Sequence, residues 1–359
     1  MSLISNLPLS VSGTLSTVLY IFIAILVFCA LICIHELGHF IAARAFGVTV
    51  KEFSIGMGKK LVSYTSKKSG IMYALRLFPI GGYVSMAGED EESDDPDSLD
   101  KKPAWQRLII MFAGAMMNII LGLILMLLLT AFALNIYGTT VTGFSEEFEQ
   151  TQQDELLLGD EIIKVGNTRV HFYQELSYEI MHKGDSPIDL TVKRNGETVV
   201  LENVVFPTIE DSGVVFGDMF FSVGRLDKTF GNVVSYAGYS SFSTIKMIWE
   251  SLIDLITGRY GFEAMSGPVG VMNVVAESAK SGLPNLIYIT VFITMNLGVF
   301  NLLPFPALDG CRIAFVLIEM VRGKPIDKKY EGYIHFAGII ILLMFMIIIT
   351  FKDVFNLLI

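Results

Sequence analysis

Apolar residues are concentrated in four long stretches of this chain, and each stretch is long enough to cross a bilayer as a helix. A spanning helix needs about 20 predominantly apolar residues, and more polar segments separate the four stretches. Pro304 and Pro306 interrupt the third stretch, so we expect a broken helix there. The pattern predicts a polytopic α-helical membrane protein with four transmembrane helices, over residues 15–46, 108–136, 286–316 and 334–351.

A fifth apolar segment, residues 236–257, has a different pattern. Lys246, Glu250 and Asp254 recur at four-residue intervals, so they share one face of a helix and leave the isoleucines and leucines on another. Such an amphipathic pattern is typical of a helix that lies at the membrane interface or against a protein core. We therefore predict one of these two positions rather than a fifth span.

Between the first two spans, runs of strand-forming residues separated by glycines predict a small, membrane-associated β-hairpin region. The runs cover residues 51–55, 61–65, 71–75 and 81–86. Such a sheet could hold an extended peptide on its edge through backbone hydrogen bonds, or it could be purely structural. A loop with eight acidic residues between Glu89 and Asp100 follows, and we interpret it as a solvated segment.

Residues 137–207 are more polar and mix strand and helix patterns, with Asn195-Gly196 as a hairpin turn. This pattern predicts one compact α+β domain inserted between the second and third spans. The predicted division of the chain is 1–47 (N-terminus and first span), 48–107 (β-hairpin region and acidic loop), 108–136 (second span), 137–207 (α+β domain), 208–282 (linker and amphipathic helix), 283–322 (third transmembrane segment) and 323–359 (loop and fourth span).

Composition and charge add an orientation to this arrangement. The chain is 52% hydrophobic and 17% charged, with a mean hydropathy of +0.57. Lysine and arginine residues are concentrated in residues 43–107 and 322–329. The positive-inside rule therefore predicts that these loops are cytoplasmic and that both termini and the α+β domain lie on the other side. The net charge of −10 offers no basic surface for nucleic acid.

The first span contains the motif His35-Glu36-Leu37-Gly38-His39. The two histidines are four residues apart and share a helix face, so both imidazoles can reach one Zn²⁺ while Glu36 stands beside it as a base. Ionisable groups within a bilayer are costly and usually have a partner or a function. An intramembrane zinc hydrolase is therefore the leading hypothesis.

A catalytic zinc site needs a third protein ligand and an open coordination position. Asp309 is the acidic residue that interrupts the third apolar stretch, and the two prolines and Gly310 around it indicate irregular backbone. Such backbone is tolerated at membrane depth where it lines a watery cavity. The alternative is that Asp309 caps the following helix, but we predict that it is the third metal ligand.

Two asparagines add polar groups to the apolar spans. Asn301 and Asn118 could each hydrogen-bond a substrate carbonyl or join helices. We favour a substrate or oxyanion role for Asn301 and helix packing for Asn118. His171, His182 and His335 are isolated in the sequence, so we interpret them as ordinary surface or packing residues.

These motifs together resemble the site-2 protease family of intramembrane zinc metalloproteases, in its bacterial branch similar to the regulator of sigma-E protease. The resemblance covers nearly the whole chain in order, and the matching segments are HELGH (35–39), GGYVSMAGE (81–89), AGAMMNIILG (113–122) and NLLPFPALDG (301–310), with a PDZ-like domain between the second and third spans. In this chain only one PDZ-like domain fits there, whereas some relatives have two.

The resemblance implies a function and a set of site residues. His35, His39 and Asp309 would bind Zn²⁺, and Glu36 would activate water. Asn301 and the segment that contains Gly81, Gly82, Tyr83 and Val84 would hold the substrate. Substrates would be single-span proteins of the bacterial cytoplasmic membrane, such as anti-sigma factors or remnant signal peptides, cleaved towards the cytoplasmic side in regulated intramembrane proteolysis. The PDZ-like domain would then be extracytoplasmic.

Two other function classes are compatible with parts of this sequence. A non-catalytic membrane adaptor could use the PDZ-like domain to recruit partners and retain HExxH as a relic. A zinc transporter would need metal ligands in series on several spans, whereas the sequence contains one such cluster. Metal analysis together with a cleavage assay, with and without a chelator, would distinguish the three. The sequence leaves the oligomeric state and the physiological substrate open.

Overall fold

The computed structural model describes residues 9–89, 91–144, 156–211, 213–262 and 265–358. The chain divides into two compact units, one formed by residues 1–122 and 266–359 and the other by residues 123–265. The helices are α1 (Leu9–Ala45), α2 (Ala104–Phe132), α3 (Tyr173–Lys183), α4 (Phe230–Thr257), α5 (Pro268–Lys280), α6 (Leu283–Asn301), α7 (Asp309–Arg322) and α8 (Lys328–Leu358).

Within the described residues, four helices are long and apolar enough to cross a membrane. They are α1 over Val18–Ala45, α2, α6, and α8 over Lys328–Phe355. The prediction of four spans is therefore confirmed. Helix α4 is 28 residues long but is not among these helices.

The third predicted span, residues 286–316, is wrong in its extent. Helix α6 ends at Asn301, and α7 begins only at Asp309. Pro304 and Pro306 lie between the two helices, where a missing N–H and a fixed φ do not support helix continuation. The predicted break is thus a complete loop, and it places Asp309 on the first turn of a new helix.

The β-hairpin region consists of β1 (Val50–Thr65) and β2 (Met72–Met86), which pair antiparallel. Both strands bend, so the sheet contains four strand segments, two from β1 and two from β2. Residues 52–55 pair with 82–85 on one side and with 72–75 on the other, and residues 60–65 pair with 72–76. The segment that ends at Met86 is therefore an outer segment of this sheet, next to the central segment of β1.

An apolar cluster joins this sheet to the helices of the first unit. Ala43 of α1, Val48, Ile71 and Val84 of the sheet region, and Ile110 of α2 are buried together in it. Burial of such side chains stabilises the folded state by about 1.5–3 kcal/mol for each of the larger ones. The cluster therefore fixes β2 against the C-terminal end of α1, where HExxH lies.

The second unit is built around an antiparallel sheet in the order β10-β3-β4-β6-β7, with β5 paired to β4 and with a separate β8-β9 hairpin. Helix α3 packs near this sheet. The strands are β3 (Ile136–Phe144), β4 (Glu161–Val165), β5 (Thr168–Arg169), β6 (Ile188–Arg194), β7 (Glu197–Val204), β8 (Thr208–Asp211), β9 (Val214–Gly217) and β10 (Phe221–Leu226).

The predicted domain boundary at residue 207 is too early. Strand β10 lies in the region predicted as a linker, yet it pairs with β3 and belongs to the sheet. Phe220 and Phe221 also lie in the same buried cluster as Leu176 and Ile180 of α3. The domain therefore extends at least to Leu226, because its first and last strands are neighbours in space.

Helix α4 turns its charged face towards α3 in this unit. Lys246 pairs with Glu179, the hydroxyl of Tyr178 donates to Glu250 at 2.8 Å, and His182 is 2.7 Å from Asp254. Burial opposes ionisation of Glu179, but hydrogen bonds from Lys183 and Lys246 outweigh it and hold the pKa of Glu179 below its ordinary value. The charged face of residues 236–257 thus contacts helix α3 of the α+β domain.

Asp160 makes this domain sensitive to acid. Its carboxylate is 1% exposed and accepts two hydrogen bonds from Arg194, at 2.8 and 2.7 Å. Burial opposes ionisation, yet the bonds from Arg194 and from the Leu157 N–H lower the pKa of Asp160. The stabilisation is complete above the unfolded pKa of about 3.9 and is lost as the pH falls through the lower folded value.

We therefore expect Asp160→Asn to destabilise the sheet by about 1–3 kcal/mol at pH 7, because a neutral amide weakens the charge-assisted hydrogen bonds that Asp160 accepts from Arg194 and from the Leu157 N–H. Hydrogen exchange of the β6 and β7 amides in the full chain measures this loss. The difference between the wild type and the variant should shrink below about pH 4. The exposed Glu197→Gln provides the control, and equal protection in all three proteins would contradict the assigned ion pair.

Candidate metal centre

Three side chains of the first unit converge at one point. His35 and His39 lie one turn apart on α1 and are 7% and 5% exposed. Their Nε2 atoms are 3.2 Å apart and lie 2.9 and 3.1 Å from the Asp309 Oδ2 atom. The three residues that were predicted as metal ligands are therefore brought together, although Asp309 lies 270 positions after His39 in the sequence.

Close contact between α1 and α2 allows the histidines to be buried. A Cβ atom at Gly38 would overlap the Ala113 carbonyl, and one at Gly114 would overlap the His39 ring. The two glycines thus let the helix backbones approach each other. In this position the His39 Nδ1–H donates to the Ile110 carbonyl oxygen at 2.8 Å, which fixes the ring and leaves the Nε2 lone pair directed at Asp309.

Asn118 of α2 contacts the other histidine. Its side-chain amide lies 3.4 Å from the His35 Nδ1 atom. Asn118 is fully buried, and within the described part of the chain its Oδ1 atom has no hydrogen-bond partner. With the amide turned by 180°, Oδ1 accepts the Nδ1–H proton, and the His35 Nε2 lone pair is available. The asparagine predicted to pack helices therefore lies against a site histidine.

The donor set fits a zinc ion. The His39 Nε2 lone pair and the Asp309 Oδ2 atom repel each other unless something positive lies between them. A shared proton satisfies one of the three contacts, whereas one cation satisfies all three. Ligands at 2.0–2.1 Å in a tetrahedron are about 3.3 Å apart, close to the separations found here. Within the described residues, no other group of histidine, cysteine and carboxylate side chains is arranged in this way.

Asp309 does not act as a helix cap. The N-cap residue of α7 is Leu308, and Asp309 is the first helical residue. Its carboxylate contacts the histidines of α1. The irregular backbone of residues 302–308 therefore delivers the carboxylate to α1, and the capping alternative is wrong.

Glu36 lies beside the three donors and contacts the sheet. Its Oε2 atom accepts a hydrogen bond of 3.0 Å from the Val84 N–H. This bond joins the glutamate of the motif to the outer segment of β2. The carboxylate is thereby held at the boundary between the histidines and a strand edge.

A cavity of about 510 Å³ opens at this point. Glu36, His39 and Asp309 line it together with Tyr83 and Val84 of β2. Of the other predicted substrate residues, Gly81, Gly82 and Asn301 are not among the lining residues of this cavity. Asn301 is the last residue of α6, and seven residues separate it from Asp309, where α7 begins.

Three lining residues were not expected from the sequence. Arg312 of α7 pairs with Glu89, and both contribute to the cavity wall, as does His335 of α8. Glu89 belongs to the acidic segment that was predicted to be solvated, and His335 to the isolated histidines that were predicted to be surface or packing residues, yet both lie at the cavity wall. The sequence signal for this part of the cavity wall was Arg312, a charged residue that follows Asp309 by about one helical turn. Arg312, Glu89 and His335 also line an adjoining polar cavity of about 680 Å³.

Comparison with known proteins identifies the family. The sequence pattern of peptidase family M50 matches residues 23–345, which include both histidines, the glutamate and Asp309. This chain belongs to peptidase family M50. The M50 match begins within the first apolar helix and ends within the fourth, and it includes everything between them, so the family covers almost the whole protein.

Similar proteins agree with this assignment. The M50 peptidase is 36% identical to a protein of Clostridium acetobutylicum with the provisional name zinc metalloprotease, over 93% of this chain and 97% of that relative. A Clostridium perfringens protein of the same provisional name is 35% identical, with 94% and 98% coverage. The regulator of sigma-W protease RasP of Bacillus subtilis is 27% identical, with 92% and 97% coverage. The chain is an intramembrane zinc metalloprotease.

Proposed function

We propose that His35, His39 and Asp309 bind the zinc ion of this protease and that Glu36 is its catalytic base. The observation that carries this proposal is the convergence of three donor atoms within 3.2 Å of one another, on two helices that are distant in sequence. Two imidazoles and one carboxylate form a set that zinc hydrolases use. The cavity that Glu36 lines together with His39 and Asp309 would give substrate and water access to a metal held there.

The residues of the chain divide the chemistry between them. When bound, Zn²⁺ supplies Lewis-acid activation of water and of the scissile carbonyl. Glu36 accepts a proton from the attacking water at its carboxylate and then donates it to the leaving amine. The Val84 N–H holds Oε2 of Glu36 in place. The Ile110 carbonyl and the Asn118 amide hold the two imidazole rings.

The outer segment of β2 would align the substrate. A peptide bond inside a helix is covered by side chains and its own hydrogen bonds, so the substrate must be extended to be cut. Segment 82–86 pairs with β1 on one side, and Tyr83 and Val84 of the same segment reach the cavity. An extended substrate could pair with this segment by strand addition. Gly81, Gly82 and Asn301 do not line the cavity, so they would contact the substrate outside it.

The substrates would be single-span membrane proteins, such as anti-sigma factors or remnant signal peptides. The similarity to a relative named regulator of sigma-W protease supports this class. We further propose that the protein lies in the bacterial cytoplasmic membrane, with both termini and the second unit outside and the metal centre towards the cytoplasm. The basic loops around residues 43–107 and 322–329 support this orientation.

The second unit would be a single PDZ-like domain. Its antiparallel sheet with helix α3 between β5 and β6 supports this assignment. The alignment with RasP extends over 411 positions, more than the 359 residues of this chain, so RasP has an insertion relative to it. We infer that this chain has one PDZ-like domain. It would therefore select substrates without a tandem pair of such domains.

Removal of the metal tests this function. The purified full-length protein, incubated in detergent with a model single-span substrate, should cleave it. A zinc chelator should abolish the cleavage, and added Zn²⁺ should restore it. Cleavage that persists in the metal-free protein would contradict a zinc mechanism. Zinc binding without any cleavage of transmembrane substrates would favour the adaptor.

A further inference from the structure

Helix α8 forms one wall of the metal-centre cavity. Gly332, His335, Phe336 and Ile339 all line it, and their spacing of three or four residues places them on one face of the helix. The remainder of α8 is mostly exposed, as expected for a membrane span. The position of α8 in the protein therefore depends on the contacts that this one face makes with the loop before Asp309.

His335 hydrogen-bonds to that loop. Its Nδ1 atom accepts the backbone N–H of Ala307 at 3.2 Å. Ala307 has a φ of +76°, a left-handed conformation that a residue with a side chain adopts at a cost of about 1–3 kcal/mol. Such a conformation persists only when surrounding contacts enforce it. Asp309 follows two residues later, so the direction of its carboxylate depends on this turn.

Two neighbouring contacts hold the histidine and the loop together. A Cβ atom at Gly338 would overlap Pro306, so the backbone of α8 touches the loop one turn beyond His335. The His335 ring also packs edge-on against Phe315 of α7, with the centroids 6.0 Å apart. His335 is thus fixed between the loop and the helix that Asp309 begins.

We propose that His335 is a positioning residue for the metal ligand Asp309. Through its Nδ1 atom it holds Ala307 in the left-handed conformation, which directs the Asp309 carboxylate at the two histidines of α1. His335 does not belong to the group of three converging ligands, so it acts on Asp309 through the loop. The consequence is that zinc affinity depends on the placement of α8, which is also a wall of the cavity. This inference rests on the proposed role of Asp309.

Three substitutions separate the hydrogen bond from simple packing. Asparagine places an acceptor oxygen near the position of Nδ1, glutamine places one near Nε2, and alanine removes both. We expect His335→Asn to bind zinc nearly as tightly as the wild type. His335→Gln and His335→Ala should bind it about 10–100-fold more weakly, the usual effect of losing a group that orients a metal ligand. Competition with a chromophoric zinc chelator measures these affinities in the full-length protein.

The control is Tyr333→Ala, an exposed position on α8 that does not line the cavity, which should leave zinc affinity unchanged. Wild-type affinity in His335→Ala would overturn the proposal, and so would equal losses in the asparagine and glutamine variants. If the wild type itself binds no zinc, the proposed function fails instead. The two failures are therefore distinguishable.

A second substitution tests the role of the strained turn. Glycine adopts a positive φ without steric cost, so Ala307→Gly should make the loop less dependent on His335. We expect the double variant Ala307→Gly with His335→Ala to recover at least part of the lost zinc affinity. If the double variant binds zinc no better than His335→Ala alone, the link through the Ala307 conformation is contradicted.

Discussion

Glu36→Gln is expected to abolish cleavage of a transmembrane substrate and to leave zinc bound. Glutamine has nearly the same shape and can still lie beside the Val84 N–H, but its amide cannot accept the proton of the attacking water. Loss of a general base costs about 10²–10⁴-fold in rate. Cleavage should therefore fall by about 10³-fold in a detergent or liposome assay, and the zinc content should remain that of the wild type.

The matched control for this variant is Glu277→Gln on α5, an exposed glutamate outside the cavity. It should cleave at the wild-type rate. Full activity of Glu36→Gln would remove the proposed base. Loss of zinc together with activity would instead show that Glu36 contributes to metal binding, and the division of roles between Glu36 and the three donors would then be wrong.

Asp309→Asn is expected to lose both zinc and cleavage. The amide is neutral, so the site loses the negative charge that offsets the cation between two neutral imidazoles. Groups that only orient a ligand account for 10–100-fold in metal affinity, and loss of the ligand charge itself should exceed that. We predict at least about 100-fold weaker zinc binding, measured by chelator competition, with the protein otherwise folded.

The exposed Asp218→Asn in the second unit serves as the control and should retain zinc and activity. The thermal unfolding of metal-free wild type and metal-free Asp309→Asn should be similar, whereas added zinc should raise the unfolding temperature of the wild type only. A variant that is stabilised by zinc as strongly as the wild type would show that Asp309 is not a ligand.

The sequence predicted the spans and the converging residues because both depend on strong local signals. Twenty apolar residues specify a membrane helix almost regardless of context, and the spacing of His35 and His39 fixes their common helix face. Asp309 stands out in the sequence because it is an acidic group in an apolar stretch. The orientation of its side chain, towards α1 and away from the helix end, depends on the conformation of the preceding loop and required the structure.

Other features could not be predicted because they depend on contacts between distant segments. The pairing of β10 with β3 extended the domain beyond residue 207. The contact of Asn118 with His35 depends on the close approach of α1 and α2 at Gly114. His335 is isolated in the sequence and is placed at the cavity only by the packing of α8 on the loop. Nothing in local patterning distinguishes such residues from ordinary packing groups.

The most direct test of the central claim is the location of zinc in the full-length protein, by anomalous diffraction at the zinc absorption edge. We predict one strong peak at about 2.0–2.2 Å from the Nε2 atoms of His35 and His39 and from a carboxylate oxygen of Asp309. A peak bound by other residues, or zinc held by the two histidines with the Asp309 carboxylate out of bonding range, would contradict it.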